Sequence, residues 1–180
     1  SGKQPGCDGL PYEFYKVFWA EVGSVLCDAL NESFVGEDGV LPGSMREGRI
    51  VLVYKGKGSR ELIQHYRPLT LLNADYKILA KALARRFAGP LTTVIDPTQT
   101  AFIPGRWIGD NVLFHLEEVD YLEESGGEGC VLLLDFQQAY DRVDREWVFA
   151  VMRAMGFGER ALRWVRLLLR DTCARVLFNG

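Results

Sequence analysis

The amino-acid sequence predicts an α/β fold of the α+β kind, in which helices pack on a small mixed sheet. Three observations indicate this class. Apolar residues recur at helical spacing over residues 12–31 and again over residues 74–87. A run rich in β-branched residues, 49–55, has the composition of a strand. The continuous apolar run 130–134 is typical of a short strand buried on both faces.

Length and composition are those of a globular protein. A chain of 180 residues can bury a core, as one domain or as parts of two. Its 48% hydrophobic and 25% charged residues are ordinary values. The four cysteines lie far apart without a C-x-x-C pair, which indicates reduced thiols in an intracellular protein. No apolar run approaches the roughly 18 residues of a membrane span, so no membrane partner is predicted.

Charge is distributed unevenly along the chain. The net charge of −3 argues weakly against binding to nucleic acid. Residues 42–108, however, hold 11 Lys and Arg against 4 Asp and Glu, whereas residues 109–152 hold 2 against 11. Such blocks suit a protein that binds phosphates with one part and metal ions with another. From charge alone, two solvated faces of opposite sign remain the favoured interpretation.

The first candidate site residue is Asp135, which follows the predicted buried strand. A carboxylate at the carboxyl end of a buried strand is held by the sheet while its side chain faces a crevice. A helix N-cap or a turn residue is the alternative, and the two interpretations are about equally supported by this residue alone.

The residues around Asp135 resemble a known motif. A hydrophobic run, Asp, Phe, two residues, Ala, Tyr and Asp is similar to the first catalytic-aspartate motif of reverse transcriptases, especially those of non-LTR (LINE-type) retrotransposons. The resemblance implies that Asp135 is the catalytic residue and a ligand of two Mg²⁺ ions, with Mn²⁺ as the alternative. It implies that Tyr140 packs under the nucleotide sugar and that Phe136 belongs to the same nucleotide site. Gln137 and Gln138 fill the region where the family usually has Lys.

A second match covers Tyr66-Arg-Pro-Leu-Thr-Leu-Leu-Asn73 and the following Tyr76-Lys-Ile-Leu-Ala-Lys81. This is close to a signature of the same family. Arg67 precedes a proline, so its backbone is held extended. The resemblance implies that Arg67 holds the triphosphate or the template strand, and that Lys77 binds nucleic acid. A surface arginine in an ion pair is the alternative for Arg67. Gly89-Pro90 is expected to end the helix that begins near residue 74.

Two lysines flank the first glycine of a turn at residues 56–59. The spacing of a phosphate-binding P-loop is absent from this turn. Resemblance to the fingers of the polymerase implies that Lys55 approaches the nucleotide and that Lys57 approaches the nucleic acid. A simple hairpin tip is the alternative.

The third match is Gln99-x-x-Phe-x-x-Gly105-Arg106 with Asp110-Asn111 downstream. It is similar to a fingers motif of LINE-type enzymes and implies that Gln99, Gly105 and Arg106 contact nucleic acid. Gly105 allows close approach of the backbone, and Arg106 would reach a template phosphate. Asp110 is expected to cap the next helix instead.

Other local patterns complete the prediction. The helix after Asp110 is expected to turn Val112, Leu116 and Val119 inward. Asp144 should cap a helix that closes at Gly156, a further helix should cover residues 159–170, and residues 175–180 should begin a hairpin.

Together the matches imply a right-hand polymerase, divided into an upstream loop and helix (1–41), fingers (42–128) and the start of the palm (129–180). The sequence contains no adjacent pair of aspartates. We therefore expect a fragment truncated before the second catalytic motif, inactive alone, from an RNA-directed DNA polymerase. Its implied partners are an RNA template, a DNA primer and deoxynucleoside triphosphates. Cytoplasm and nucleus are expected for the parent element, and no oligomeric state is predicted.

Two alternatives to the enzyme stay open. A copy of the domain that has lost catalysis would keep the fold and bind RNA only. A structural interaction domain that binds no nucleic acid is also compatible with the sequence pI of about 5.5. Salt-dependent RNA binding separates these two alternatives, and metal-dependent primer extension separates the enzyme from both.

Overall fold

The structure is a computed structural model that describes residues 4–35, 39–136 and 142–177. The elements of this part of the chain, in order, are α1 (Tyr12–Val17), α2 (Trp19–Phe34), α3 (Gly43–Arg46), β1 (Glu47–Tyr54), a 3₁₀ turn (Ile63–His65), β2 (Tyr66–Leu71), α4 (Ala74–Val94), α5 (Gly109–Ser125), α6 (Arg145–Ala154), α7 (Glu159–Leu169) and β3 (Cys173–Val176). The predicted α+β class is confirmed.

The described strands form one mixed sheet in the order β2-β1-β3. β1 pairs with β2 antiparallel, with Tyr54 opposite Tyr66, and with β3 parallel, with Arg49 opposite Arg175. The strand predicted near residues 49–55 is therefore confirmed. The residues that follow α7 form β3 and join the edge of β1. The hairpin predicted from residue 175 has its turn outside the described residues and stays a prediction.

The chain divides into two compact units. Unit 1 contains Ser1–Leu83 and Gly158–Gly180, and unit 2 contains Ala84–Phe157. The core of unit 1 includes Leu41 and Leu162, which are 1% and 0% exposed. The three-part division into upstream helix, fingers and palm concerns polymerase subdomains and stays a prediction.

The first predicted helix is present as two helices. The chain leaves helical geometry at Phe18 (φ −99°, ψ 23°), which ends α1 and begins α2. Side chains on either side of this break then point in directions that one continuous helix would not give them. Val17 and Val25 are 71% and 67% exposed, although both belong to the apolar residues that recur at helical spacing over residues 12–31.

Helix α4 continues through Pro90, so the predicted end at Gly89-Pro90 is wrong. A proline inside a helix removes one backbone N–H donor. Beyond it the helical bonds resume, since Ile95 N donates to Leu91 O at 3.1 Å. The Thr93 hydroxyl also donates to Pro90 O at 2.8 Å. These bonds continue the helix on the far side of the proline, and the inward positions Leu79 and Leu83 are buried as predicted.

Helix α5 forms where it is predicted, but its orientation differs from the prediction. Val112, Leu116 and Val119 are 58%, 56% and 43% exposed rather than inward. The helical spacing of the apolar residues was predicted correctly. Within the described chain, however, no residue of α5 is buried. The capping role of Asp110 is also wrong, since Ile108 is the N-cap and Asp110 lies in the first turn.

The run 130–134 is not a strand, which contradicts the prediction of a strand buried on both faces. Residues 131–136 adopt no regular secondary structure. Leu133 and Leu134 are 85% and 81% exposed. A strand needs a neighbour for its backbone hydrogen bonds. Among the described strands, none pairs with this run.

The last two helices agree with their sequence signals. Asp144 Oδ1 accepts a hydrogen bond from Trp147 N at 2.8 Å and so caps α6. Gly156 follows α6 with φ 85°, which is the left-handed conformation that glycine adopts readily. Helix α7 then buries Leu162 and Leu167.

Candidate functional site

The β1–β2 hairpin of unit 1 brings together two residues predicted to bind the nucleotide, Lys55 and Arg67. Arg67 lies opposite Val53, and Lys55 N extends the ladder by donating to His65 O at 2.8 Å. Residues two apart on a strand share a face, and directly opposite residues share a face too. Lys55 and Arg67 therefore lie diagonally on the same face of the sheet, and both are exposed.

The same face carries two further arginines that the sequence analysis missed. Arg49 is on β1 at an even spacing from Lys55, and Arg175 on β3 lies opposite Arg49. Arg175 Nε contacts Glu47 Oε1 at 2.7 Å. Alternation along the strand was a sufficient signal for Arg49, whereas the pairing of Arg175 is between distant segments. We call Arg49, Lys55, Arg67 and Arg175 the basic sheet face.

Side-chain hydrogen bonds order the loop between the two strands. Lys55 Nζ donates to Gln64 O at 2.6 Å, and Tyr66 Oη donates to Arg60 O at 2.8 Å. The guanidinium of Arg60 lies 5.1 Å from the centre of the Tyr54 ring. The Lys55 ammonium is thus partly engaged by the loop itself, and Arg60 is a further cation there that the sequence analysis did not single out.

Lys57 lies at the tip of this loop and is exposed. Its neighbours Gly56 and Gly58 have φ values of 84° and 88°, which favour glycine. The turn is therefore a hairpin tip, as the alternative interpretation had it, and it carries the Lys57 cation outward. Contact of Lys57 with nucleic acid stays a prediction.

Lys77 is exposed on α4, two residues after the half-buried Asp75. Burial raises the pKa of Asp75 above its ordinary value, the charge of Asp8 raises it further, and the bond from Tyr76 N partly opposes both. Burial also raises the pKa of Tyr15, as do the charges of Asp75 and Asp8. Asp75, Tyr15 and Asp8 therefore form an acidic group within unit 1.

A cavity of about 550 Å³ lies close to this region. It is lined by three aromatic side chains, a lysine and an isoleucine, namely Tyr12, Tyr15, Trp19, Lys16 and Ile78. None of the described residues that were predicted to bind nucleotide or nucleic acid lines it.

In unit 2, Arg106 is engaged by the backbone around it. Its Nη1 donates to Asp96 O at 2.5 Å and Gln99 O at 2.7 Å. Its Nη2 donates to Ile95 O at 2.8 Å and Thr92 O at 3.3 Å. These carbonyls belong to the end of α4 and the loop that follows it. The guanidinium therefore fixes the loop, and its predicted contact with a template phosphate stays a prediction.

Gln99 and Gly105 both belong to the loop that Arg106 binds. Gly105 has φ 78°, so glycine is required there by the backbone. Asp96 Oδ1 accepts bonds from Thr98 N at 2.9 Å and Thr98 Oγ1 at 2.7 Å. These bonds, and then the charge of Arg106, lower the pKa of the Asp96 carboxyl.

Asp135 and Phe136 are both exposed in unit 2, and Phe136 is 83% exposed. Tyr140, Gln137 and Gln138 lie outside the described residues. Within the ranges that the structure describes, no group of three or more His, Cys, Asp or Glu side chains could hold a metal ion. Asp135 thus offers a single carboxylate there, which is too few ligands for a pair of ions.

Comparison with known proteins decides the family. Residues 55–180 match the family described as "Reverse transcriptase (RNA-dependent DNA polymerase)". The chain belongs to the reverse transcriptase family. The Arg67, Arg106 and Asp135 motifs all fall inside the matched region.

A curated relative supports the type of reverse transcriptase. The chain is 37% identical over 177 residues to the "Transposon TX1 uncharacterized 149 kDa protein" of Xenopus laevis. This alignment covers 98% of the chain but only 13% of the relative, so the reverse transcriptase chain spans a small part of that protein. The predicted membership of the non-LTR type is confirmed by these two matches.

Some properties are general to the family. Reverse transcriptases act on a nucleic-acid template and primer with nucleotides, and they generally use divalent metal ions. Within the described part of the chain, no helix has the length and apolar character needed to cross a membrane.

Proposed function

We propose that this chain is part of an RNA-directed DNA polymerase of a non-LTR retrotransposon, working on an RNA template, a DNA primer and deoxynucleoside triphosphates. The observation that carries the proposal is the family match over residues 55–180, which includes Asp135 and most of the basic sheet face. The TX1 relative supports a transposon origin. The alternative, an RNA-binding module without catalysis, has no observation of its own in its favour.

Asp135 is the proposed catalytic carboxylate. It would hold a divalent ion, with Mg²⁺ preferred and Mn²⁺ as the alternative, together with ligands outside the described residues. A hard cation takes oxygen ligands, and an exposed carboxylate can provide one. When bound, a pair of such ions stabilises the negative charge on the phosphoryl group that is transferred.

The basic sheet face is the proposed phosphate contact of unit 1. Arg67 is exposed and its extended backbone precedes Pro68, so its planar guanidinium can grip two phosphate oxygens. Lys55, whose ammonium already donates to Gln64 O, adds a point charge on the same face. Lys57 and Lys77 are the proposed contacts to the nucleic-acid backbone, because both are exposed cations in unit 1.

Primer extension tests the proposal directly. We would assay the chain, and a longer polypeptide from its natural reading frame, with an RNA template, a DNA primer, Mg²⁺ and deoxynucleotides. Asp135→Asn should abolish extension, whereas Asp110→Asn, an exposed carboxylate on α5, should leave it unchanged. Extension that survives Asp135→Asn would disprove the catalytic role, and RNA binding without any extension would support the RNA-binding alternative.

The role of Tyr140 as a sugar gate belongs to the same proposal. A ring packed at the ribose 2′ position excludes a hydroxyl group and so selects deoxynucleotides. Tyr140→Ala in the active polypeptide should raise the incorporation of ribonucleotides. Equal incorporation by the variant and the parent enzyme would remove this role, while Tyr140→Phe should preserve selection.

Within the cell we place the parent element's protein in the cytoplasm and nucleus. The wide separation of the four cysteines, which suits a reducing compartment, supports this placement. Imaging of a tagged full-length protein would test it.

A further inference from the structure

Phe102 combines two features that are individually uncommon. Its φ of 63° lies in the left-handed region, and its side chain is 90% exposed. Within the described residues, Asp171 is the other non-glycine residue with positive φ. The left-handed conformation is unfavourable for a bulky L-residue. Burial of the ring could offset that cost, but this ring faces solvent, so packing does not explain the conformation.

The surrounding loop holds Phe102 in this conformation. The four hydrogen bonds from Arg106 tie the loop to the end of α4. Arg106 N also donates to Ile103 O at 3.2 Å, and Thr100 is only 6% exposed. An unfavourable backbone conformation persists where its surroundings determine it, and such positions are enriched at ligand contacts.

Two arginines and one carboxylate belong to the chain that leads into the loop. Arg85 and Arg86 are exposed on α4, which leads directly into the loop. The nearest loop carboxylate, Asp96, accepts two bonds from Thr98. An exposed ring matches a single-stranded nucleic acid, whose bases stack on aromatic rings, and nucleic acid is the ligand that the proposed function expects.

We propose that Phe102 stacks on an unpaired base of the nucleic acid and that Arg106 is the positioning residue that presents it. This inference rests on the proposed function, since it names a residue that contacts the template. It differs from the expectation for Arg106. The nucleic acid is contacted by the Phe102 ring and not by the Arg106 guanidinium. The guanidinium acts on the loop and not on phosphate.

The first test compares variants of the chain for binding to a single-stranded oligoribonucleotide that contains 2-aminopurine. Phe102→Gly should weaken binding on the order of tenfold and lose the stacking-dependent quenching of the probe. Glycine adopts a positive φ freely, so the melting temperature of this variant should be unchanged or higher. Phe102→Trp should retain binding, and Tyr121→Ala, which removes another exposed ring of unit 2, should have no effect.

The second test separates the two possible roles of Arg106. Arg106→Met should weaken binding but leave the slope of log K against log salt unchanged, whereas loss of a phosphate contact would reduce that slope by about 0.7. In the Phe102→Gly background, Arg106→Met should have little further effect, because both changes remove the same contact.

The outcomes distinguish this inference from the function on which it rests. Wild-type binding with an equally tight Phe102→Gly variant would overturn the inference, leave the proposed function standing, and point to a protein partner for the ring. Absence of RNA binding by the wild-type chain would overturn both. A reduced salt slope for Arg106→Met would indicate that Arg106 itself contacts phosphate.

Discussion

The guanidinium of Arg163 lies over the ring of Phe34, with its Cζ 4.5 Å from the ring centre, and also donates to the Phe34 backbone carbonyl at 2.9 Å. The indole of Trp164 stacks against the same ring, with centres 4.1 Å apart. One arginine thus satisfies the carbonyl of the last residue of α2 and covers its side chain. This contact joins α2 to α7 within unit 1.

Replacing Arg163 should therefore weaken unit 1. Arg163→Met keeps an apolar stem but loses the hydrogen bond and the cation–π contact, so we expect a loss of about 1–2 kcal/mol in the free energy of unfolding. Urea denaturation would measure it. Arg166→Met is the matched change on α7, where the ion pair with Glu159 spans 3.9 Å between exposed groups. Equal effects of the two variants would contradict the role of the Phe34 contact.

The second prediction concerns Asn73, which is 1% exposed. Its Nδ2 donates to Ser44 O at 2.8 Å, and its Oδ1 accepts from Asp8 N at 3.3 Å. Asn73→Ala leaves these backbone groups without a partner and should cost about 1–3 kcal/mol of stability. Thermal unfolding would report the loss. Asn31→Ala on exposed α2 should change stability by less than about 0.5 kcal/mol, so a comparable loss there would refute the argument.

The third prediction is a dependence on pH that arises from Asp75. Burial raises its pKa in the folded state above the ordinary value of 3.8, so the folded protein binds this proton more tightly than the unfolded chain. Stability from this group is therefore present below pH 3.8 and is lost as the pH rises through the folded pKa. Asp75→Asn should stabilise the protein at neutral pH and lose that advantage in acid. Urea unfolding of both proteins at neutral pH and in acid would measure this difference in stability.

Asp96 provides a comparison of opposite sign. The bonds from Thr98 and the charge of Arg106 lower its pKa below 3.8. Its stabilising contribution is full above pH 3.8 and disappears as the pH falls through the lower folded pKa. Thr98→Val should raise the pKa of Asp96 toward its ordinary value, as followed by NMR titration. The Thr93 hydroxyl bonds to Pro90 O, so Thr93→Val should leave the pKa of Asp96 unchanged.

The fourth prediction uses salt to count phosphate contacts on the hairpin. Lys57→Ala should weaken RNA binding for all sequences and reduce the slope of log K against log salt by about 0.7. Filter binding across a salt series would measure it. Lys16→Ala on α1 removes the same charge in unit 1 outside the hairpin, and should leave the slope intact. A reduced slope for both variants would indicate a general charge effect and no defined contact.

Elements specified by local chemistry could be predicted from the sequence. The Asp144 cap depends on a side chain and an amide three residues away, and Gly156 closes the helix through its own backbone freedom. A run rich in β-branched residues predicted β1 from its local composition alone. The reverse transcriptase motifs were recognisable because they are short and contiguous.

Features that depend on distant segments could not be predicted. Whether residues 130–134 form a strand depends on a pairing partner, and hydrophobicity alone does not provide one. The parallel pairing of Arg175 with Arg49 joins two strands that are separated in sequence by the whole of unit 2. Arg106 looked like a phosphate ligand because its sequence context does not reveal the four carbonyls that surround its guanidinium.

The pairing of β1 with β3 also determines when the sheet can be completed during synthesis of the chain. β1 leaves the ribosome early, but its parallel partner Cys173–Val176 emerges only after Ala84–Phe157 has been synthesised. During that interval one edge of β1 is open. We expect ribosome-bound chains that end before residue 173 to leave the β1 edge susceptible to proteolysis, and chains that expose β3 outside the ribosome to protect it. Completion of the sheet would then be the late, slow step of biogenesis.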